Sequence, residues 1–278
     1  MSPAGTVIVT GASSGIGEAC ALRLARGDFD VVAGVRKDED AERAGALHER
    51  VRPVKIDVAD EASVAAAAQE VGDGPIAGLV NNAGISVTGP LEFVPLDEWR
   101  HQLEVNVIGQ VAVTQAFLPG IRAAKGRIVN IGSVGGKVAA PLLSPYAGSK
   151  FAMEGITDSL RRELRPLGVH VAIVEPGAVA TEIWRKGTAA AEELLENAPP
   201  EAEAIYGKVI AAIRAQAAKA TADAIPPDEV AKVVEHALTA DKPRTRYPVG
   251  RDAKMRIRAA GLLPDRVFDR LVARQLGV

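Results

Sequence analysis

Short runs rich in Val and Ile alternate with longer Ala-rich stretches of helical period along most of this 278-residue chain. A strand covered on both faces reads as a nearly continuous apolar run, and parallel neighbours need a long, usually helical, crossover between them. The alternation therefore predicts an α/β chain of repeated βαβ units, a doubly wound parallel sheet of about seven strands with helices on both faces. The strands are expected at Thr6–Thr10, Asp30–Val35, Val51–Asp57, Gly78–Asn81, Gly126–Ile131, Val169–Glu175 and Thr245–Val249. Helices are expected at Gly15–Gly27, Glu61–Val71, Leu96–Ala123, Pro145–Gly168 and Pro227–Ala240. Only Thr181–Ile225 interrupts the rhythm, with an Ala- and Glu-rich helical insertion before the last strand. The expectation is one domain, residues 1–278, with an insertion at about 181–225 and a helical tail at about 251–278.

Composition removes several classes of function. The 33 Lys+Arg against 35 Asp+Glu give a formal charge of −2, which disfavours generic binding of nucleic acid. A single cysteine, Cys20, permits no intramolecular disulfide and no multi-cysteine zinc site. The four histidines, His48, His101, His170 and His236, show no ligand spacing, so no metal is expected. Met1–Thr10 carries no secretory pattern, and no run approaches the ~18–20 apolar residues of a membrane span. A cytoplasmic location is the expectation.

Glycine is in excess, at 27 residues, and several sit where a turn must be tight. The first strand runs directly into Thr10-Gly11-Ala12-Ser13-Ser14-Gly15-Ile16-Gly17, and a helical pattern follows. Strand, glycine turn and helix N-terminus together suit a pyrophosphate, because free backbone N–H groups and the helix dipole attract the anion. This is a Rossmann-like arrangement, although the Gly-x3-Gly-x-Gly spacing differs from the common dinucleotide fingerprint. A tight turn that merely packs a helix on a strand would look similar. At the end of the second strand, where an acid would bind a ribose 2′-hydroxyl, the chain has Arg36 and Lys37. A guanidinium forks onto phosphate, so NADP(H) is favoured over NAD(H), although Asp38, Glu39 and Asp40 dilute the field.

Tyr146 and Lys150 lie at i and i+4 near the start of an expected helix and so share one face. A free phenol, with a pKa near 10, is a poor base, and a neighbouring ammonium favours its ionised form. Ser133 follows the fifth strand, where its hydroxyl could bind a carbonyl or alkoxide oxygen beside that phenol. Taken alone, a Tyr/Lys pair is more often a surface feature of an amphipathic helix.

These segments together resemble the short-chain dehydrogenase/reductase family. The resemblance rests on TGASSGIG at Thr10–Gly17, NNAG at Asn81–Gly84, Asn106 within LEVNVIG, Ser133, YAGSK at Tyr146–Lys150 and PG at Pro176–Gly177, in that order. It implies hydride transfer between a nicotinamide and a secondary alcohol or ketone. Tyr146 would be the general acid/base, Ser133 would orient the substrate oxygen, and Lys150 would bind ribose hydroxyls while lowering the phenol pKa. Asn106 would hold a water of a proton relay. Gly11, Ser13, Ser14, Ile16 and Gly17 would line the pyrophosphate turn, with Arg36 and Lys37 at the 2′-phosphate. Asp57 and Val58 would flank the adenine, and Asn82, Ala83 and Gly84 the adenosine half. Pro176, Gly177, Val179 and Thr181 would border the nicotinamide.

The same resemblance makes 181–225 a substrate lid and implies an apolar pocket drawn from Val138, Leu142, Leu143, Ile183 and Trp184 beside Ser133 and Tyr146. Val31–Lys37 and Arg244–Gly250 look like subgroup members acting on steroids and retinol, so a hydrophobic, bulky alcohol or ketone is the expected substrate. A homodimer or homotetramer through the fourth and fifth helices is usual in the family. The tail 251–278 holds seven Arg/Lys and three Asp, a net +4. A packed terminal helix at a subunit interface is favoured there over peripheral membrane contact. The alternatives are a dinucleotide-binding sensor without turnover, an NAD-dependent dehydrogenase of a small alcohol, and, last, a lyase or epimerase on a related fold.

Overall fold

The computed structural model describes residues 4–277. Its seven strands are β1 (Thr6–Thr10), β2 (Asp30–Val35), β3 (Val51–Lys55), β4 (Ile76–Asn81), β5 (Arg127–Ile131), β6 (His170–Pro176) and β7 (Arg246–Val249). They form one sheet in the order β3-β2-β1-β4-β5-β6-β7, and every pairing is parallel. The order reverses between β1 and β4, and a crevice opens at such a switch point beyond the carboxyl ends of the strands.

Alternate strand residues feed two cores. Val7, Val9, Val31 and Val80 face α1 (Gly15–Arg26) and α9 (Pro227–Thr239), where Cys20, Leu24, Val230 and Val234 are fully buried. Burial pushes the Cys20 thiol up to about 12, so it is packing and not a reactive group. Ile8, Val32, Leu79 and Ile128 face the opposite layer. That layer holds α3 (Glu61–Val71) and α5 (Gly109–Ala124), together with the far end of α6 (Ser144–Leu164). Between β4 and β5 the interior is polar. Asn81 Nδ2 donates to Thr114 Oγ1 at 2.8 Å and to Asn130 Oδ1 at 2.9 Å, and Asn130 Nδ2 donates to Thr157 Oγ1 at 2.8 Å. Asn81 thus ties strand ends to two helices.

Two elements depart from expectation. A short helix, α2 (Asp38–Gly45), follows β2. It buries only Ala44, so it carries little apolar periodicity, and its acidic first turn complements the helix dipole. The single helix expected over 96–123 is instead α4 (Leu96–Leu103) and α5, joined by a π turn at Glu104–Ile108. Pro119 lies inside α5 without ending it. The insertion contains two helices, α7 (Glu182–Glu196) and α8 (Pro200–Ala222), and the tail two more, α10 (Arg251–Leu262) and α11 (Asp265–Leu276).

Candidate active site

A cleft of about 910 Å³ runs along the carboxyl ends of β1, β2, β4, β5 and β6, from the glycine turn to α7. The turn is shaped for a close approach. Gly11 and Gly15 adopt φ of +62° and +59°, the left-handed region that side chains disfavour. A Cβ on Gly17 would stand 2.2 Å from the Gly11 carbonyl oxygen, so this glycine lets α1 pack onto the turn and does not itself line the cleft. Asn82 fastens the turn to β4, donating from Nδ2 to the carbonyls of Thr10 at 2.9 Å and Gly11 at 3.1 Å. These features fit a dinucleotide: its pyrophosphate could meet backbone without steric interference from side chains.

Farther along, Arg36, Lys37, Asp57 and Val58 line the cleft beyond the ends of β2 and β3. Lys37 pairs with Glu39 at 3.2 Å, whereas Arg36 is exposed and has no ion pair among the described residues. A residue overlooked from sequence joins them. Arg43 on α2 donates to the Ser13 carbonyl at 2.8 Å and to Asp40 at 2.6 Å, and also lines the cleft. Its only sequence signal was a position seven residues after Arg36, on a helix that carries little periodicity.

At the other end, Ser133, Tyr146 and Lys150 come together, each at most 6% exposed. Ser133 caps a 3-10 turn, and its Oγ accepts the Gly135 N–H at 3.0 Å. Its hydroxyl lies beside the Tyr146 phenol on the cleft wall. Burial raises the phenol pKa above its ordinary value, and the Ser133 hydroxyl opposes that rise. Lys150 Nζ donates to the Ile131 carbonyl at 2.8 Å and lies 5.8 Å from the Tyr146 ring centroid. Burial lowers its pKa to about 8. Burial sets the direction of the phenol's shift, and the lysine is not among its causes.

Asn106 also differs from expectation. It is fully buried at the centre of the π turn and does not reach the cleft. Its side chain pairs with the Ile85 backbone, accepting N–H at 2.8 Å and donating to the carbonyl at 3.0 Å, and it donates to Ser149 Oγ at 3.1 Å. Any water would have to use backbone groups that the π turn withdraws from the usual helical ladder.

Pro176, Gly177, Val179 and Thr181 line the cleft beyond the end of β6, and Asn82, Ala83 and Gly84 line it beyond the end of β4. The tail supports this edge. Asp252 of α10 accepts the Ala178 N–H at 3.1 Å and occupies the space where a Gly177 side chain would lie. Nothing in the local sequence around Asp252 announces that contact. From α7, Ile183 and Trp184 enter the cleft, and the Trp184 ring meets Tyr146 edge-on, centroids 5.6 Å apart. Val138, Leu142 and Leu143 do not form part of its wall. Their loop is drawn elsewhere: the Leu142 carbonyl accepts the Gly89 N–H at 2.8 Å, and Leu142 itself has φ +63°.

The sequence model of the short chain dehydrogenase family matches residues 5–192. The chain belongs to this family. It is therefore an oxidoreductase acting on CH–OH and C=O groups, with a nicotinamide-binding fold. A 3-amino-tetrahydro-pyrrolizinone reductase of Xenorhabdus hominickii is 41% identical over 258 residues, 90% of this chain and 88% of that one. An NADPH-dependent 3-dehydrocapnine reductase of Ornithobacterium rhinotracheale is 36% identical, covering 97% of this chain and 96% of that one. Mouse retinol dehydrogenase 5 is 37% identical over 95% of this chain and 86% of its own, which places retinol dehydrogenases among the relatives. A Burkholderia cenocepacia short chain dehydrogenase solved with NADP superposes with TM-score 0.74 at 29% identity, covering 99% of this chain and 98% of that one. A Burkholderia phymatum relative solved with NAD gives 0.79 at 26% identity and covers 92% of each chain. Among the described residues no helix is long and apolar enough to cross a membrane.

Proposed function

We propose that this chain is an NADP(H)-dependent oxidoreductase that interconverts a hydrophobic, bulky ketone and its secondary alcohol, acting in the cytoplasm as a homo-oligomer. The observation that carries the reading is the convergence of Ser133, Tyr146 and Lys150 on one wall of a cleft whose other end is a glycine turn. A bound nicotinamide supplies or accepts the hydride, and the protein supplies orientation, a proton and charge stabilisation. Ser133 and Tyr146 would hold the substrate oxygen between two hydroxyls. Tyr146, whose phenol pKa burial raises, would donate its proton to the developing alkoxide. Lys150 would turn from the Ile131 carbonyl toward ribose hydroxyls and restore charge beside the phenol. Trp184 and Ile183 would cover the substrate and exclude water, and their apolar surface supports a bulky hydrocarbon frame.

Support for NADP(H) comes from Arg36, an unpaired cation on the cleft wall, and from Arg43 beside it. The NADPH-dependent relative points the same way. A charge-assisted contact to phosphate contributes about 1.5–3 kcal/mol. Arg36→Ala should therefore raise KM for NADP(H) by about 10- to 100-fold, with much less effect on NAD(H). Tighter binding of NAD(H) than NADP(H) by the unmodified protein would refute the preference. Substrate class is tested with hydrophobic ketones and secondary alcohols under either cofactor, following reduced-nicotinamide absorbance. Turnover confined to small polar alcohols would overturn the proposed pocket.

Leu96, Leu103 and Ile108, exposed on α4 and the π turn, support an oligomer through this layer. Light scattering should give a mass at least twice the 29.0 kDa protomer, and a monomer at micromolar concentration would reject it.

A further inference from the structure

The C-terminal helices carry two outward faces of unusual make-up. On α10, Arg251, Lys254, Met255, Arg258 and Leu262 recur at helical spacing and are all exposed, Met255 at 68% and Leu262 at 82%. Ala253, on the opposite side, is fully buried. On α11 the same combination returns: Arg266, Arg270 and Arg274 stand beside Val267 and Leu271, which are 41% and 51% exposed. Both acids of that helix, Asp265 and Asp269, fall on a different sector of the wheel. The third tail acid, Asp252, is engaged with Ala178. Among the described residues none of the tail cations forms a salt bridge, and α11 has no buried residue.

We propose that α10 and α11 dock the protein reversibly on an anionic phospholipid surface. A helix that presents basic residues around isolated aliphatic side chains, with low mean hydropathy, lies on a bilayer: aliphatics enter the acyl boundary while the cations meet anionic headgroups. The charge pattern argues against a second copy of this chain as the occupant. A two-fold interface places the same patch on both sides, so three arginines would face three arginines, and interface cores are depleted in charge. The chain's overall charge of −2 makes the cationic tail a local feature, suited to steering one face toward an anionic surface. Because α11 packs against α8, docking would also bring the lid to the bilayer. That consequence rests on the proposed hydrophobic substrate; the docking itself does not.

The test is co-sedimentation of the full chain with vesicles of phosphatidylglycerol and phosphatidylcholine, compared with phosphatidylcholine alone, at about 0.1 M salt. Binding is expected only to the anionic vesicles and should weaken as salt rises. Each cation near such a surface contributes about fivefold. Arg266→Gln/Arg270→Gln/Arg274→Gln should thus weaken binding on the order of 100-fold. Met255→Ser/Leu271→Ser should weaken it independently of charge. Circular dichroism and turnover of a water-soluble substrate should stay at wild-type values, since these side chains are exposed and remote from the cleft. Absence of binding to anionic vesicles, or unchanged binding by the triple variant, overturns the proposal. Self-association that the triple variant abolishes, without vesicle binding, reassigns the face to a second copy.

Discussion

Tyr146→Phe is expected to lower kcat for ketone reduction by about 10²- to 10⁴-fold, the range assigned to a positioned general acid. Cofactor affinity should change little. The substitution is clean because Phe retains the edge-on packing against Trp184 and loses only the hydroxyl. The fold should survive for the same reason. A pH dependence follows from burial: the phenol pKa is raised, so the protonated form that serves reduction persists through neutral pH. Reduction by the wild type should fall only on the alkaline side, while alcohol oxidation, which needs the ionised phenol, should rise there. Steady-state rates followed from neutral pH to about pH 11, past the ordinary phenol value of about 10, would display both limbs. Wild-type reduction by Tyr146→Phe would remove the proposed mechanism. Tight NADP binding by the native chain without turnover of any carbonyl would instead favour a sensor.

The parts that could be read from sequence are those in which one local signal suffices. Each buried strand is a short apolar run, and all seven strands recur with ends shifted by no more than two residues. Ser133, Tyr146 and Lys150 sit in or beside regular elements, and the family resemblance is what joined them into one expected site. What escaped depends on contacts between distant segments. α2 buries a single alanine and is held by position, so Arg43 was missed with it. The π turn forms where Asn106 pairs with the Ile85 backbone, a contact across 21 residues. Val138, Leu142 and Leu143 were expected in the pocket from the family resemblance and their apolar character. The backbone bond from Gly89 to Leu142 carries their loop off the wall. The basic tail looked from composition like an interface helix; the exposed arrangement of its cations around isolated aliphatic side chains is visible only in the folded chain.

Lys150→Met should abolish activity and yet stabilise the protein. The ammonium is buried, with its pKa lowered to about 8 from the 10.5 of a free lysine. Below pH 8 the lysine is charged in both folded and unfolded chains, and the full penalty for burying it is present. Between about 8 and 10.5 the unfolded chain binds more protons than the folded one, so stability rises with pH and the penalty fades. A shift of this size corresponds to about 3 kcal/mol at neutral pH. Methionine removes the charge while keeping most of the volume. It also forfeits the bond to the Ile131 carbonyl, a partial loss of about 1–2 kcal/mol. The net expectation is a gain of about 1–2 kcal/mol at pH 7, shrinking toward zero or below by about pH 10. Urea unfolding of both proteins at the two pH values measures it directly. Lower stability of the variant at both, by equal amounts, would make Lys150 a structural tie for β5. A gain at pH 7 coupled to lost turnover would mean that the fold tolerates an unfavourable buried charge at this position because the chemistry requires it.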